Sequence, residues 1–133
     1  MPIARKHTDL AFSPTLVAGL ECSVQPFRTT LDNREFEMSW MTRYVGRQYI
    51  DNASDPENAI DAYSFSNLRL RYRAMPRPWG TLELTFLLQN LLNAQYESNA
   101  WSYRYRYDGE IYVDQGFFPQ AGRNYLLGLS LRW

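Results

Sequence analysis

The chain has 133 residues, of which 45% are hydrophobic and 16% are aromatic. Its mean hydropathy is −0.47, and its apolar runs are far shorter than the roughly 18 residues of a membrane-spanning helix, so helical membrane spans are excluded. The 14 basic and 14 acidic residues cancel to a formal net charge of zero. A neutral chain has no bulk attraction to nucleic acid, so we expect no nucleic-acid partner.

The first two predicted elements are strands, because apolar and polar side chains alternate along them. The first segment runs from about Phe12 to Phe27 and includes the single cysteine, Cys22, which we expect to be a buried or lipid-facing apolar side chain. A short turn, Thr29–Asn33, leads to the second segment, Glu35–Tyr49. The polar connection Asp51–Asp61 lacks the glycine of a calcium-binding loop, so we expect it to be solvated and to bind no metal.

The third and fourth segments continue this alternation. The third spans about Tyr63–Met75 and ends at the turn Pro76–Gly80, where neither proline can donate to a strand ladder. The fourth begins at Thr81. Its alternation breaks at Asn90–Leu92, which predicts a β-bulge.

The longest connection, Asn93–Arg123, is itself predicted to be β-structured. Asp108-Gly109 lies between two alternating runs, and this dipeptide is a strong signal for a two-residue hairpin turn. The fifth segment, Tyr125–Trp133, alternates up to the final tryptophan. Together these patterns predict an all-β fold, an antiparallel up-and-down meander of about five strands in which sequence neighbours pair in space.

The connections between the five segments are short, long, short and long in chain order. Outer-membrane β-barrels have short periplasmic turns and long extracellular loops. A periplasmic C-terminus puts both long connections, Asp51–Asp61 and Asn93–Arg123, outside the cell and both short ones inside. The pattern therefore favours part of a transmembrane β-barrel, and the terminal strand Tyr125–Trp133 resembles the C-terminal signature of bacterial outer-membrane barrel proteins.

Three further stretches resemble the C-terminal end of TonB-dependent outer-membrane receptors: Arg43–Asn52, Gln89–Glu97 and Phe117–Arg123. Together with the terminal strand, the resemblance covers Thr8–Trp133 in the order of that family. It implies that residues 1–133 are the C-terminal segment of a barrel of about 22 strands with a plugged lumen, without the plug domain. It further implies import of a bulky, scarce nutrient, most often an iron–siderophore complex, with energy from TonB.

The resemblance also implies the location and the partners of the chain. The location is the outer membrane of a Gram-negative bacterium, where lipid and lipopolysaccharide surround the barrel. The barrel assembly machinery is expected to recognise Tyr125–Trp133. TonB is expected to act only through N-terminal parts that this chain lacks. The plug and the remaining barrel strands are further expected partners. The chain alone is therefore expected to be a non-transporting fragment, with no enzymatic activity and no cofactor.

The candidate ligand-binding residues lie on the second long connection, which the barrel orientation puts outside. Aromatic rings there can stack on catecholates or sugars, and arginines can pair with anionic ligands. The alternative is that the aromatic residues belong to the interfacial belt and that the arginines contact lipopolysaccharide phosphates or solvent. The candidates are Trp101, Tyr103, Arg104, Tyr105, Arg106, Tyr107 and Tyr112.

A second cluster is predicted on the polar face of the third segment. Antiparallel pairing brings its arginines near the level of acidic residues on the neighbouring segments, and opposed cross-strand charges are favourable. We expect an ion-pair ladder in the barrel lumen, with contact to a plug as the alternative. The ladder combines Arg69, Arg71 and Arg73 with Glu35, Glu37 and Glu83.

Two other classes of protein share part of this pattern. A small soluble β-barrel that binds a lipophilic ligand also alternates, but its apolar face points inward and its outer face is polar. An outer-membrane barrel enzyme needs a cluster of acid, base or nucleophile near the rim, and the chain has one histidine. The soluble barrel is the stronger of these two alternatives.

Overall fold

A computed structural model describes residues 9–29, 34–75 and 80–133, with the backbone only for residues 27–29. In these ranges the regular elements are β-strands and the sheets are antiparallel, so the predicted all-β, antiparallel fold is confirmed. No helix in them is long and apolar enough to span a membrane. The strands are β1 Val17–Thr29, β2 Arg34–Val45, β3 Gln48–Tyr49, β4 Ala59–Ile60, β5 Tyr63–Ala74, β6 Thr81–Gln89, β7 Glu97–Tyr107, β8 Glu110–Pro119 and β9 Asn124–Arg132.

Five of these strands form one sheet, in the order β1-β2-β5-β6-β9. They correspond to the five predicted segments, and each pairs with its neighbour in that series. The predicted up-and-down order is therefore confirmed. The β-structure predicted between the fourth and fifth segments is confirmed as well, because β7 and β8 pair with each other as a separate hairpin.

The described residues divide into two compact units. One, called the sheet unit, contains most of the five-stranded sheet. The other, called the hairpin unit, contains β3, β4, β7 and β8. The sheet unit comprises Gly19–Arg43, Phe65–Ala94 and Ala121–Trp133, and the hairpin unit comprises the rest of the described residues.

The sheet unit has one apolar and one polar face, as alternation predicts. Leu70 of β5 opposes Phe86 of β6, and Phe86 opposes Leu127 of β9. On the other side, Arg71 opposes Thr85. Facing residues of a strand pair project to the same side of the sheet, so apolar side chains meet apolar neighbours across the three strands.

The apolar face of the sheet unit is open to its surroundings. Leu20 of β1 is 71% exposed and Leu129 of β9 is 72% exposed. Cys22 is exposed on the same face, so the buried alternative for this cysteine is wrong. A groove of about 290 Å³ lies in this face and is lined by Cys22, Val24, Met38, Trp40, Leu68 and Leu91.

The first two predicted segments are interrupted where the backbone leaves the sheet. The first strand begins at Val17 rather than at Phe12, because Phe12 has a φ of 54° and its amide donates to the carbonyl oxygen of Tyr49 at 2.8 Å. The second segment is divided into β2 and β3. Between them the amide of Gly46 donates to the carbonyl oxygen of Leu16 at 2.8 Å.

The predicted bulge at Asn90–Leu92 is wrong, because β6 ends at Gln89 and a turn follows. Asn90 is buried and has a φ of 51°. Its Nδ2 donates to the carbonyl oxygens of Ala94 at 2.9 Å and Ala121 at 3.2 Å, and its Oδ1 accepts the amide of Ala94 at 2.8 Å. The Asn90 side chain therefore provides hydrogen-bond partners for backbone groups at the point where strand pairing ends.

The two short predicted connections fall largely outside the described residues. The structure does not describe residues 30–33 of the predicted turn Thr29–Asn33 or residues 76–79 of the predicted turn Pro76–Gly80. Gly80 itself is described and has a φ of 88°. A Cβ at this position would collide with the carbonyl oxygen of Arg132, so only glycine fits here.

The hairpin unit has a small apolar core. Gln48 pairs with Ile60 and Tyr49 with Ala59, which joins β3 to β4. This pairing closes the chain segment between them into an ordered loop. Three buried apolar residues of the unit form one cluster, Ile50, Ile60 and Ala100, the last of which belongs to β7.

Candidate functional site

All seven candidate ligand-binding residues lie on the hairpin of β7 and β8. Tyr107 opposes Glu110 at its tip. Asp108 and Gly109 form the two-residue turn between them, with φ of 50° and 85°. Two consecutive positive φ angles are typical of a type I′ turn, whose twist suits a hairpin. The predicted hairpin turn is therefore confirmed.

Alternation divides the candidate residues between the two faces of the hairpin. Tyr105 opposes Tyr112, and Arg104 opposes Val113. One face, called the aromatic face, carries Trp101, Tyr103, Tyr105, Tyr107 and Tyr112. The other, called the packed face, carries Arg104 and Arg106. The structure thus separates the aromatic residues from the arginines, which the sequence analysis grouped in one site.

The aromatic face is an exposed row of rings. The ring centroids of Tyr103 and Tyr105 lie 5.9 Å apart with 26° between the ring planes. Those of Tyr105 and Tyr112 lie 5.6 Å apart with 16° between the planes. Offset, nearly parallel rings at these distances attract one another. Because Tyr103 is 64% exposed, the row remains accessible to a ligand.

Gly116 makes room for the indole at the end of this row. It opposes Trp101 in the register of the hairpin. A Cβ at Gly116 would lie 2.8 Å from Cε2 of Trp101 and would also collide with Nε1. The absence of a side chain here lets the indole lie over the backbone of β8.

Two carboxylates also belong to the aromatic face, and the sequence analysis missed them. Glu110 opposes Tyr107, and Asp114 opposes Tyr103. The hydroxyl of Tyr112 donates to Oε2 of Glu110 at 3.2 Å. The sequence was sufficient to find these two carboxylates, because a two-residue Asp-Gly turn fixes which residues of the hairpin oppose each other.

The packed face contacts the rest of the hairpin unit through Ala100 and Arg104, whereas Ile111 and Val113 of the same face are exposed. Ala100 of this face is buried in the apolar core. Nη2 of Arg104 lies 3.6 Å from Oδ2 of Asp51 and 3.5 Å from Oδ2 of Asp55. Arg106, nearer the tip, is exposed. The guanidinium of Arg104 is engaged within the chain, which reduces its capacity to pair with an anionic ligand.

The acidic loop between β3 and β4 is ordered by hydrogen bonds to its own carboxylates. Oδ1 of Asp51 accepts the amide of Ala53 at 2.7 Å, and Oδ2 accepts Nδ2 of Asn58 at 2.9 Å. Oδ1 of Asp55 accepts the amide of Glu57 at 3.1 Å. Such bonds from aspartate to nearby amides are typical of ordered turns. Across the described residues, no group of three His, Cys, Asp or Glu side chains is arranged to hold a metal ion.

A pair of tyrosines lies near the start of the hairpin. The ring centroids of Tyr63 and Tyr96 are 4.5 Å apart and the planes differ by 16°. Burial, and to a smaller extent the neighbouring phenol of Tyr63, raise the pKa of Tyr96 above its ordinary value. The carbonyl oxygen of Tyr96 accepts the amide of Gln120 at 2.9 Å, which ties together the chain segments entering and leaving the hairpin.

The second candidate cluster is the arginine ladder on the polar face of the sheet unit. Nη2 of Arg71 donates to Oε2 of Glu37 at 2.7 Å, and Nη2 of Arg73 donates to Oε2 of Glu83 at 2.9 Å. Nη1 of Arg73 lies 3.6 Å from Oε2 of Glu35. The predicted ion pairs are therefore present, and they connect three neighbouring strands.

Glu37 and Ser39 are the least accessible members of this network. Nη2 of Arg69 donates to Oε1 of Glu21 and to Oγ of Ser39, both at 3.4 Å, and lies 3.9 Å from Oε1 of Glu37. Ser39 is fully buried and accepts the hydroxyl of Ser23 at 2.8 Å. The side chain of Glu37 is 14% exposed. The polar face is thus a network of charges and hydroxyls that extends to β1.

Neither the sequence nor the fold leads to a known relative: no protein-family model, no curated protein and no solved structure matches this chain. Two features of the chain bear on its function: the exposed apolar face opposite the ion-pair ladder, and the aromatic face of the hairpin.

Proposed function

We propose that this chain is the C-terminal part of the β-barrel of a TonB-dependent outer-membrane receptor. Such a receptor takes up a bulky, scarce nutrient of the size of an iron–siderophore complex, with energy from TonB. The observation that carries the proposal is the sidedness of the sheet unit. Most of its apolar side chains project from one face, where many are exposed, and the arginines of β5 are paired with carboxylates on the other.

The exposed apolar face favours contact with lipid. Burying apolar surface contributes about 25 cal/mol per Å², so a face that leaves Leu20, Leu127 and Leu129 uncovered is unfavourable in water. In a bilayer the same side chains are in their preferred medium. The strand lengths agree, since a tilted transmembrane strand needs about 9 to 11 residues and the five strands of the sheet have 9 to 13.

The paired charges of the opposite face suit a water-filled or plugged lumen. Arginine at the lipid-facing midplane of a barrel costs about 2 to 4 kcal/mol, so Arg69, Arg71 and Arg73 belong on the side away from lipid. Their carboxylate partners are on the same side. In this arrangement the ion pairs link β1, β2, β5 and β6 on the side of the sheet that faces the lumen.

The sheet order leaves β1 and β9 at the two edges. Unpaired strand edges favour association with further strands, and a closed barrel removes them. In the proposed receptor, these further strands and the plug belong to the rest of the protein. The chain by itself is then a non-transporting part of the machine, in the outer membrane of a Gram-negative bacterium among lipid and lipopolysaccharide.

The proposed orientation has the end of β9 in the periplasm, where the barrel assembly machinery would read Tyr125–Trp133. The connections that carry β3, β4, β7 and β8 then extend from the outer side. This puts the aromatic face of the hairpin where a nutrient first meets the receptor. TonB acts from the periplasm through the parts of the receptor that precede the barrel.

A second candidate function is a soluble β-barrel that binds a lipophilic ligand. The groove of about 290 Å³ in the apolar face favours it, since its lining is almost wholly apolar. The exposure of the surrounding face counts against it, because a soluble barrel turns its apolar side chains inward. We therefore prefer the membrane proposal.

An arginine substitution on each face tests the membrane proposal. Leu129→Arg puts a charge on the apolar face, opposite Leu84, and Ser130→Arg puts the same charge on the polar face, opposite Glu83. If the apolar face contacts lipid, Leu129→Arg weakens partition into phospholipid vesicles by about 2 to 4 kcal/mol, and Ser130→Arg has little effect. Vesicle flotation measures both. Equal behaviour of the two variants would overturn the lipid-facing assignment.

The receptor assignment has its own test at the locus that encodes the chain. Codons for a plug domain and for further barrel strands, read in frame before Met1, would support it. A locus without them would overturn it even if the sheet contacts lipid. Deletion of such a complete gene should then abolish uptake of one nutrient.

A further inference from the structure

The charges of the hairpin are sorted by face. Between residues 100 and 116 the aromatic face carries two carboxylates, Glu110 and Asp114, and no basic side chain. The packed face carries two arginines, Arg104 and Arg106, and no carboxylate. The exposed rings are therefore combined with negative charge only. A ligand on this face meets rings and carboxylates together.

The carboxylates flank the stacked rings symmetrically. Asp114 lies across from Tyr103, Glu110 lies across from Tyr107, and the stacked pair of Tyr105 and Tyr112 lies between them. Four residues along β8 separate the two acids, which puts their Cα atoms about 13 Å apart. Each acid is thus beside an aromatic ring, with further rings on the path from one acid to the other.

We propose that the aromatic face binds an extended, soluble organic polycation of the polyamine type, whose ammonium groups pair with Glu110 and Asp114. Ammonium groups are attracted both to carboxylates and to the faces of tyrosine and tryptophan rings. The methylene chain between the ammonium groups packs on the rings of Tyr105 and Tyr112. This inference rests on the proposed function for the outward orientation of the hairpin, and it narrows the class of nutrient.

The same distribution of charge disfavours two other occupants. An anionic ferric catecholate would approach Glu110 and Asp114 with no basic side chain on that face to pair with it. A lipid-contacting aromatic belt would put both carboxylates at the membrane surface among its rings, where neutral aromatic residues are the usual composition. A soluble cation is the occupant that matches both the rings and the acids.

Titration of the full chain in neutral detergent micelles with spermine tests the inference. We expect saturable binding that weakens as the ionic strength rises. Glu110→Gln and Asp114→Asn should each weaken the affinity by about three- to tenfold, because each removes one carboxylate. The control is Asp61→Asn, which changes the net charge equally but removes a carboxylate that is 88% exposed and lies off this face. The control should bind as the parent does.

Substitution of Tyr105 separates ring contacts from general attraction. Tyr105→Phe keeps a ring and should keep the affinity, whereas Tyr105→Leu should weaken it by about threefold. Circular dichroism of each variant checks that the hairpin is folded. Lack of saturable binding, equal weakening by Asp61→Asn, or tighter binding of a ferric catecholate complex would each overturn the inference.

The outcome is distinguishable from that of the proposed function. Micelle titration requires neither TonB nor membrane insertion, so spermine binding survives even if Leu129→Arg and Ser130→Arg behave alike in vesicles. Conversely, a lipid-facing sheet that binds no polycation would leave the receptor proposal intact and refute the ligand class.

Discussion

Neutralising Glu37 should destabilise the sheet more than neutralising any exposed acid of the arginine ladder. Oε2 of Glu37 accepts Nη2 of Arg71 at 2.7 Å and Nε2 of Gln25 at 3.2 Å, and Oε1 lies 3.9 Å from Nη2 of Arg69. A hydrogen bond to a charged group contributes about 1.5 to 3 kcal/mol, and an exposed ion pair about 0 to 1. Because Glu37 is 14% exposed while both arginines remain about one-third exposed, we expect Glu37→Gln to cost about 1 to 2 kcal/mol.

The matched control is Glu21→Gln. Glu21 also pairs with Arg69, at 3.4 Å, but its side chain is 55% exposed. We expect its neutralisation to cost less than about 0.5 kcal/mol. Guanidinium unfolding in micelles, followed by tryptophan fluorescence, measures both, and the comparison requires equal slopes of free energy against denaturant.

Two results would refute this reasoning. If Glu37→Gln is as mild as Glu21→Gln, the covered position of Glu37 does not strengthen its ion pairs. If Glu37→Gln stabilises the protein, the desolvation of the carboxylate outweighs its attraction to the arginines. Either result would show that the ion pairs of Glu37 contribute little to the stability of the sheet.

Two further predictions concern the ends of the strands and the packed face of the hairpin. Asn90→Gly should lower the free energy of unfolding by about 2 to 3 kcal/mol, because it removes three buried hydrogen bonds. Asn90→Ala should lower it by about 1 kcal/mol more, because φ is positive at this position. Equal unfolding midpoints for the two variants would contradict the backbone argument. Arg104→Gln should cost less than about 1 kcal/mol but speed amide exchange at Ala53, whose partner Asp51 loses its cation. Unchanged exchange there would show that the ion pair does not hold the loop.

Much of the architecture follows from local pattern. On the apolar face of the sheet, Leu84 and Phe86 of β6 oppose Leu129 and Leu127 of β9. Period-two alternation along each strand reveals this face without any tertiary information. The turn at Asp108-Gly109 is equally local, since both residues adopt positive φ and few other dipeptides do so. Strand ends are less visible: Asn90 interrupts the alternation in the same way whether it forms a bulge or a cap.

The candidate site depended on tertiary structure to a larger extent. The aromatic residues and the arginines alternate along β7 and therefore face opposite sides, which grouping them in one site overlooked. Alternation does not reveal which side contacts the rest of the hairpin unit. That is decided by the burial of Ala100 against Ile50 and Ile60, which are about forty to fifty positions away in the chain. The same packing brings Arg104 to Asp51 and leaves the aromatic face exposed.

The sequence by itself determined the all-β meander, the hairpin turn and the partners of the arginine ladder, because alternation and turn chemistry act between residues that are adjacent or directly paired. Only the tertiary structure decided that the apolar face of the sheet is exposed, that Asn90 caps a strand, and that Ala100 and Arg104 of the packed face contact the rest of the hairpin unit. These features depend on which surfaces are covered by distant segments. Coverage is a property of packing, and no local pattern encodes it.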